Sequence, residues 1–454
     1  MADLAFDAET PTPAHQTALK CLSDGVNAVL PDRIVRDAVS LNDNTLSVAE
    51  ATYDLSAFDR ILVIGGGKAG DGVADALETV LGDRIDGGAV VTPEPTSGDR
   101  IDRLPGAHPV PSETGVESAA RIVDLLSETD DRTLVLAVVT GGASAVIPTP
   151  ADGISLADLQ TTTDALLRSG AHIGELNAVR KHLSTLKGGG LARLAAPATV
   201  IGLVFSDVVG NDLSVIASGP TAPDETTYDD ALSVLDRYGL DVPESVRSRL
   251  ERGARGELAE TPMADDPVFD RVTNHVLADT HTALSAARET AREHGYDSIV
   301  LSARVRGEAR EAAKTHVAVA EEVAATGDPL DPPAVILTGG ECTVTVRGDG
   351  DGGPNLEYCL SAARELDTDA VVAAIDSDGE DGGTTVAGAI VDSRTVDDAS
   401  DESEAAASLA ENDALSFLRD RKCLIRTGPT GTNVNDLRVA IVDDLDGRDS
   451  NGNA

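Results

Sequence analysis

The chain reads as a succession of short, unbroken apolar runs, each closed by glycine or aspartate. Ile61 to Ile64, Leu134 to Val139 and Val200 to Phe205 are the clearest, with Ala89 to Val91 a shorter one. Runs of this length, rich in Val, Ile and Leu and lacking polar alternation, predict strands buried on both faces, as in a parallel sheet. Between them lie stretches of helical period, from Ala14 to Leu30 before Pro31 and from Ala171 to Leu186 before three glycines. Leu46 to Leu55 alternates weakly and predicts an edge hairpin. The charged stretch from Pro243 to Asp270 carries little apolar pattern and predicts a linker. A second series then begins. Helices are expected from Thr282 to His294 and from Ala309 to Ala325. Strands are expected from Ser298 to Leu301, Val335 to Thr338, Thr343 to Val346, Val371 to Ile375 and Cys423 to Arg426. The pattern predicts an α/β protein of two domains, residues 1–260 and 271–445.

The candidate chemistry sits where apolar runs end. The first run stops at Gly65-Gly66-Gly67-Lys68 ahead of an alanine-rich helix. A strand, a glycine turn and a helix can aim backbone N–H groups at an anion, and a lysine adds a mobile charge there. The spacing is neither a P-loop nor a complete dinucleotide fingerprint. The second run ends at Thr140-Gly141-Gly142-Ala143-Ser144, where Ser144 can donate to a phosphate or cap the next helix. The third ends at Ser206-Asp207, followed by a tight loop through Gly210, Gly219 and Pro220. An acid at the carboxyl end of a parallel strand lies where doubly wound sheets bind ligands. His108 falls in a Gly/Pro loop, where a polar contact or a site-lining role is open to it. Asn177, Lys181 and Ser184 share one helical face that runs into Lys187 and Gly188 to Gly190. In the second half, Asp376-Ser-Asp378-Gly-Glu-Asp381 resembles a calcium loop, but position 381 is Asp where that loop needs Gly. A carboxylate cluster that bears magnesium or lies beside phosphate fits better, with Asp376 and Asp378 as the metal candidates.

Composition narrows the partners. The 454 residues carry a formal net charge of -42, with 78 acidic and 36 basic side chains. Nucleic acid and anionic membrane would both be repelled by such a surface. Acids spread over the whole chain indicate adaptation to concentrated salt, where screening is strong. Only six of the 36 basic residues are lysines, yet Lys68, Lys181 and Lys187 all lie beside glycine-rich loops. Four scattered cysteines suggest neither zinc nor a disulfide framework. With no signal-like or membrane-length apolar segment, a cytoplasmic protein is expected, and a homodimer is left open.

Taken in order, VIGGGKA, TGGASA, NAVRKHLSTLKGGGLA, SDVVGNDLSVIASGPTAPD, LTGGECTVTVRG, DSDGEDGGTTVAGAIVD and GPTGTNVNDL resemble the glycerate 2-kinases that carry a C-terminal MOFRL domain. The motifs span Leu19 to Val442. The resemblance implies a Rossmann-like N-terminal domain with a parallel sheet, an α/β MOFRL domain, and an active site in the cleft between them. It implies transfer of phosphate from ATP, with Mg²⁺, to D-glycerate, giving 2-phosphoglycerate, and it matches Lys68 to the family's lysine. On position and chemistry, Gly65, Gly66, Gly67, Gly141, Gly142, Ser144 and Gly219 are then candidates for holding nucleotide phosphates. Arg180, Lys181 and Asn355 are candidates for substrate. Asp207 is a candidate base or metal ligand, with Asp376 and Asp378 as further metal candidates. The chain departs from the family at Gly352-Gly-Pro354-Asn355-Leu-Glu357, where proline replaces an arginine. Arg347 or Arg426 are the candidates to stand in for it. Two rival readings are an NAD(P)H-dependent hydroxypyruvate reductase and a non-catalytic sensor of a sugar acid or nucleotide. The incomplete fingerprint and Lys68 weigh against the first, and the acidic cluster against the second.

Overall fold

A computed structural model describes residues 3–443, which divide into two compact units. One comprises Pro31–Asp207 and Asn211–Leu277, the other residues 3–30, 208–210 and 278–443. Residues 3–30 thus group with the C-terminal half, unlike the expected division at 260. The helix Pro13–Ala28 packs on the helix Thr280–Glu293, and Gly25 has only a carbonyl oxygen, that of Ala283, 3.0 Å from where a side chain would start.

The first unit is built on a six-stranded sheet. Its order is Asp102–Pro105, Gly87–Thr92, Arg60–Gly66, Thr133–Thr140, Thr199–Phe205, Val272–Ala278. The first five strands run parallel. Every residue of Thr133–Thr140 is buried, as the absence of polar alternation demands. The chain starts at Arg60–Gly66, winds outward to one edge, then returns to lay Thr133–Thr140 on the opposite side of that first strand. The order therefore reverses between these two strands, and ligands in open α/β sheets bind at such a reversal, beyond the carboxyl ends.

Two expectations for this unit change. Leu46 to Leu55 is part of a three-stranded antiparallel sheet, Val39–Asn42, Thr45–Val48 and Ala51–Asp54. The expected linker holds the helix Glu244–Ala254, whose Val246 and Leu250 are fully buried among Leu176, Val179, Leu183, Tyr228 and Leu235. A stripe of two apolar side chains at i and i+4 is enough to dock a short helix, but too little to register as a pattern among so many charges.

The second unit has a mixed six-stranded sheet, ordered Asp297–Glu308, Ala334–Thr343, Asp436–Val442, Ala370–Asp376, Gly388–Asp392, Leu424–Ile425. Only the first pair is parallel. Gly339-Gly-Glu341, expected to close a strand, continues it through Thr343, so there is no separate strand from Thr343 to Val346. Pro354, found where the family carries arginine, is the first residue of the helix Pro354–Glu365. Its fixed φ and missing N–H suit that position.

Candidate active site

Gly65 and Gly66 lie inside the strand Arg60–Gly66, in register with Val90 and Val138, and with Val91 and Val139. Their φ values are +130° and +147°, and a side chain on either would collide with a neighbouring carbonyl, that of Val138 or Val91. Beyond the strand, Gly67 N–H donates to Val91 O (2.9 Å), Lys68 N–H to Gly141 O (2.8 Å), Ala69 N–H to Thr140 Oγ1 (3.3 Å) and Gly70 N–H to Gly67 O (3.1 Å). The backbone donors expected to cradle phosphate are engaged within the fold. What the three glycines provide is close approach between strands and a tight exit that presents Lys68.

The second turn is different. Gly142 has φ +78° and opens a single helical turn, Ala143–Val146. The N–H groups of Gly142, Ala143 and Ser144 donate to no acceptor among the described residues. Lys68 Cγ and His108 Cδ2 lie 3.1 and 3.0 Å from where a side chain on Gly142 would begin, and a side chain on Gly141 would collide with the Asp207 carboxylate. Two adjacent glycines therefore hold a lysine, a histidine and an aspartate around one turn at the reversal of strand order. The structure brings Lys68 and Asp207 together, and His108 joins them.

Ser144 does not cap a helix. Its Oγ is 2.7 Å from Ser218 Oγ, which donates to Asn177 Oδ1 at 3.0 Å. Ser218 was not anticipated. It lies in the sequence Ala217-Ser218-Gly219, where all three residues have positive φ (52°, 60° and 66°). Left-handed backbone at non-glycine residues is costly and persists where the surroundings impose it, often at functional sites. Gly219 fixes the neighbouring loop, its carbonyl accepting from Gly189 N–H at 2.7 Å, and no phosphate role is evident for it.

The face expected to gather Asn177, Lys181 and Ser184 divides. Lys181 is buried and donates to Asp224 Oδ1 at 3.0 Å. Asp224, fully buried, also accepts from Thr226 and Thr261. Lys181 is thus a structural cation, which corrects its assignment to substrate. Ser184 Oγ meets Thr149 Oγ1 at 2.8 Å. Lys187 donates to the Ser144 carbonyl at 2.8 Å. Burial, and secondarily the charge of Arg180, holds its ammonium well below lysine's ordinary pKa.

The acidic run of the second unit is largely structural. Asp381, 1% exposed, accepts from the backbone N–H groups of Asn355 (3.0 Å) and Leu356 (2.8 Å), so it closes the first turn of the helix behind Pro354. Burial pushes its carboxyl up to about 7, against the pull of those N–H groups. Asn355, fully buried, donates through Nδ2 to Asp381 (3.1 Å) and Asp436 (2.7 Å). That position is internal, which corrects its assignment to substrate. Glu357 accepts from Arg310 (2.6 Å) and Asn412 (2.5 Å). The two motifs DSDG and TGTNVND interlock, with Thr430 N–H donating to the Asp378 carbonyl (3.0 Å) and Val434 N–H to Ser377 Oγ (2.8 Å). Asp376 and Asp378 are half-buried, and their carboxylates accept from the N–H groups two residues on. No group of three or more His, Cys, Asp or Glu able to hold a metal occurs among the described residues. Arg347 and Arg426, the candidates to replace the family arginine, are both exposed. No helix among the described residues is long and apolar enough to cross a membrane.

Comparison with known proteins places the chain in a family. The family described as a domain of unknown function, DUF4147, matches residues 17–251, and the MOFRL family matches residues 334–436. A glycerate 2-kinase of Pyrococcus horikoshii is 38% identical over 96% of this chain and 98% of its own. A protein of Agrobacterium vitis named, provisionally, hydroxypyruvate reductase is 38% identical over 84% of this chain and 99% of its own. The crystal structure of a glycerate kinase from Thermotoga maritima superposes with a TM-score of 0.81 at 35% identity, covering 94% of this chain and 99% of that one. With both family segments in order and similarity along nearly its whole length, the chain belongs to the glycerate 2-kinase family that carries a MOFRL domain.

Proposed function

We propose that this protein transfers the terminal phosphoryl group of ATP to the 2-hydroxyl of D-glycerate. The observation that carries the reading is the convergence of Lys68, His108 and Asp207 on the Gly141-Gly142 turn, in a chain 38% identical to a protein named glycerate 2-kinase. Phosphoryl transfer asks little covalent chemistry of the protein; it needs alignment and charge stabilisation. In this reading Lys68 neutralises charge on the transferring group. The open N–H groups of Gly142, Ala143 and Ser144 hold phosphate oxygens. Asp207 accepts the proton of the attacking hydroxyl, and a carboxylate is suited to that step when held within hydrogen-bond reach. With Lys181 engaged by Asp224, Arg180 is the cation left to meet the substrate carboxylate.

Mg²⁺ fits this donor set if it arrives on the nucleotide. It takes one or two carboxylates and fills its shell with water and phosphate oxygens, so Asp207 suffices on the protein side where it serves the metal instead of the hydroxyl proton. Bound there, the ion would supply neutralisation of the phosphate charge. The surface acidity supports a further reading, that the protein works in concentrated salt.

The reductase name among the relatives makes a direct comparison useful. Purified protein in concentrated KCl should consume ATP only when D-glycerate and Mg²⁺ are both present. It should not oxidise NADH or NADPH with hydroxypyruvate. Reduced-nucleotide oxidation without ATP turnover would replace the kinase reading with the reductase one.

A further inference from the structure

Three cations whose side chains are almost fully enclosed come with acids. Arg103 is ringed by Asp71, Asp75 and Glu78, Lys181 is held by Asp224, and Arg438 by Asp436. With 78 acidic side chains available, this is the expected outcome. Arg180 and Lys187 differ from these three. Lys187 is 8% exposed and Arg180 half-buried, the two are close enough for one charge to act on the other, and neither has a carboxylate in ion-pair reach among the described residues. Beside them Asn177, 3% exposed, has its Oδ1 bonded to Ser218 while its Nδ2 meets no acceptor. A buried amide donor without a partner and two neighbouring cations without an acid all lack the same thing, an anion supplied from outside.

We propose that Lys187, with Arg180 and the Asn177 amide, forms a carboxylate-binding subsite in which Lys187 is the specificity-determining residue, making the site demand an anionic hydroxy acid and refuse a neutral polyol. The proposal rests on the kinase reading for the identity of the acid, and goes beyond it in assigning Lys187 and Asn177. Lys187 also donates to the Ser144 carbonyl, which ties the subsite to the turn that Lys68 packs against. Arg180 acts on Lys187 by charge, the self-neutralised Lys181–Asp224 pair lies against Gly188, and Lys68 and Asp207 lie against the Gly141-Gly142 turn. None of these carboxylates is in ion-pair reach of Lys187 among the described residues. A bound carboxylate would be, and would favour its ammonium form. A site built around unpaired donors rejects ligands lacking the matching group much more strongly than a hydrophobic pocket does.

The test is equilibrium binding of D-glycerate by calorimetry, which reports on the subsite whether or not turnover occurs. Lys187→Gln removes the charge and keeps a donor for the Ser144 carbonyl. Asn177→Asp keeps the acceptor for Ser218 and turns the unpartnered donor into a negative oxygen. Each should weaken D-glycerate at least about 10-fold, with ATP affinity and melting temperature nearly unchanged, and Lys187→Arg should restore part of the loss. In the wild type, D-lactate should compete with glycerate and propane-1,2-diol should not, a result independent of any variant's folding. Glycerate affinity within twofold of wild type in both folded variants, ATP weakened in parallel with glycerate, or equal competition by the diol would overturn the proposal. Failure of ATP turnover with glycerate binding intact would instead count against the kinase reading alone.

Discussion

Lys68 and Lys181 are equally rare residues in equally glycine-rich surroundings, and their environments separate them. Lys68 emerges from a strand end whose backbone donors are engaged, beside the turn that also meets Asp207. Lys181 is sealed against Asp224. Lysine scarcity drew attention to both, but sequence carries no sign of which lysine meets a buried acid contributed from forty-three residues away. The two should therefore fail differently. Lys68→Met removes a charge that matters most in the transition state, so kcat should fall by about 10²-fold or more while KM for glycerate changes little. Lys68→Arg should rescue poorly, because a planar guanidinium does not reproduce a compact ammonium. Steady-state kinetics of both variants in the same salt checks this, and a kcat for Lys68→Met within threefold of wild type would end the catalytic role. Lys181→Met strands a buried carboxylate, a change that typically costs ~3–5 kcal/mol. Its mark should be a lowered melting temperature, with KM for glycerate preserved in whatever fraction stays folded.

At the scale of elements, the strand ends were legible because buried parallel strands leave an unmistakable apolar run, and the turns after them cluster by the rule of the doubly wound sheet. Three things were not. Gly65 and Gly66 read as a turn, yet they belong to the strand, since only the neighbouring backbones reveal why a side chain is forbidden there. The strands Gly388–Asp392 and Asp436–Val442 directly follow conspicuous polar motifs that mask their short apolar runs. Asp381 read only as the acid that spoils a calcium loop, whereas it closes the helix that begins at Pro354. That last role has a consequence for pH. The native carboxyl titrates near 7, while an unfolded aspartate titrates near about 4. Between those values the native state holds a proton that the unfolded state has released, so this residue's contribution to stability is greatest below the unfolded value and declines as pH rises to about 7. Melting curves at fixed KCl from about pH 5 to 8 should therefore fall more steeply for wild type than for Asp381→Asn. Parallel curves would show that the carboxyl stays ionised throughout.

The molecule as a whole carries a formal net charge of -42 on a chain of which 41% of the residues are hydrophobic. Self-repulsion at that density opposes the compact state unless salt screens it. Dialysis to about 0.1 M salt, where the Debye length is roughly 10 Å, should abolish activity and lower the circular dichroism signal. Retention of both would remove the salt-adapted reading. The fold class was legible from apolar runs, and the ordered motifs pointed to the family. The grouping of residues 3–30 with the C-terminal unit was not, because packing of the helix Pro13–Ala28 on Thr280–Glu293 joins segments that nothing local connects. The central claim, phosphorylation of D-glycerate at its 2-hydroxyl, can be tested directly by feeding the product to enolase. Incubation with ATP, Mg²⁺ and D-glycerate in concentrated KCl, followed by transfer to enolase, should yield phosphoenolpyruvate at once and in step with ADP. Formation of ADP with phosphoenolpyruvate appearing only after a phosphoglycerate mutase is added would mean that the phosphate goes to the 3-hydroxyl, and would contradict the account.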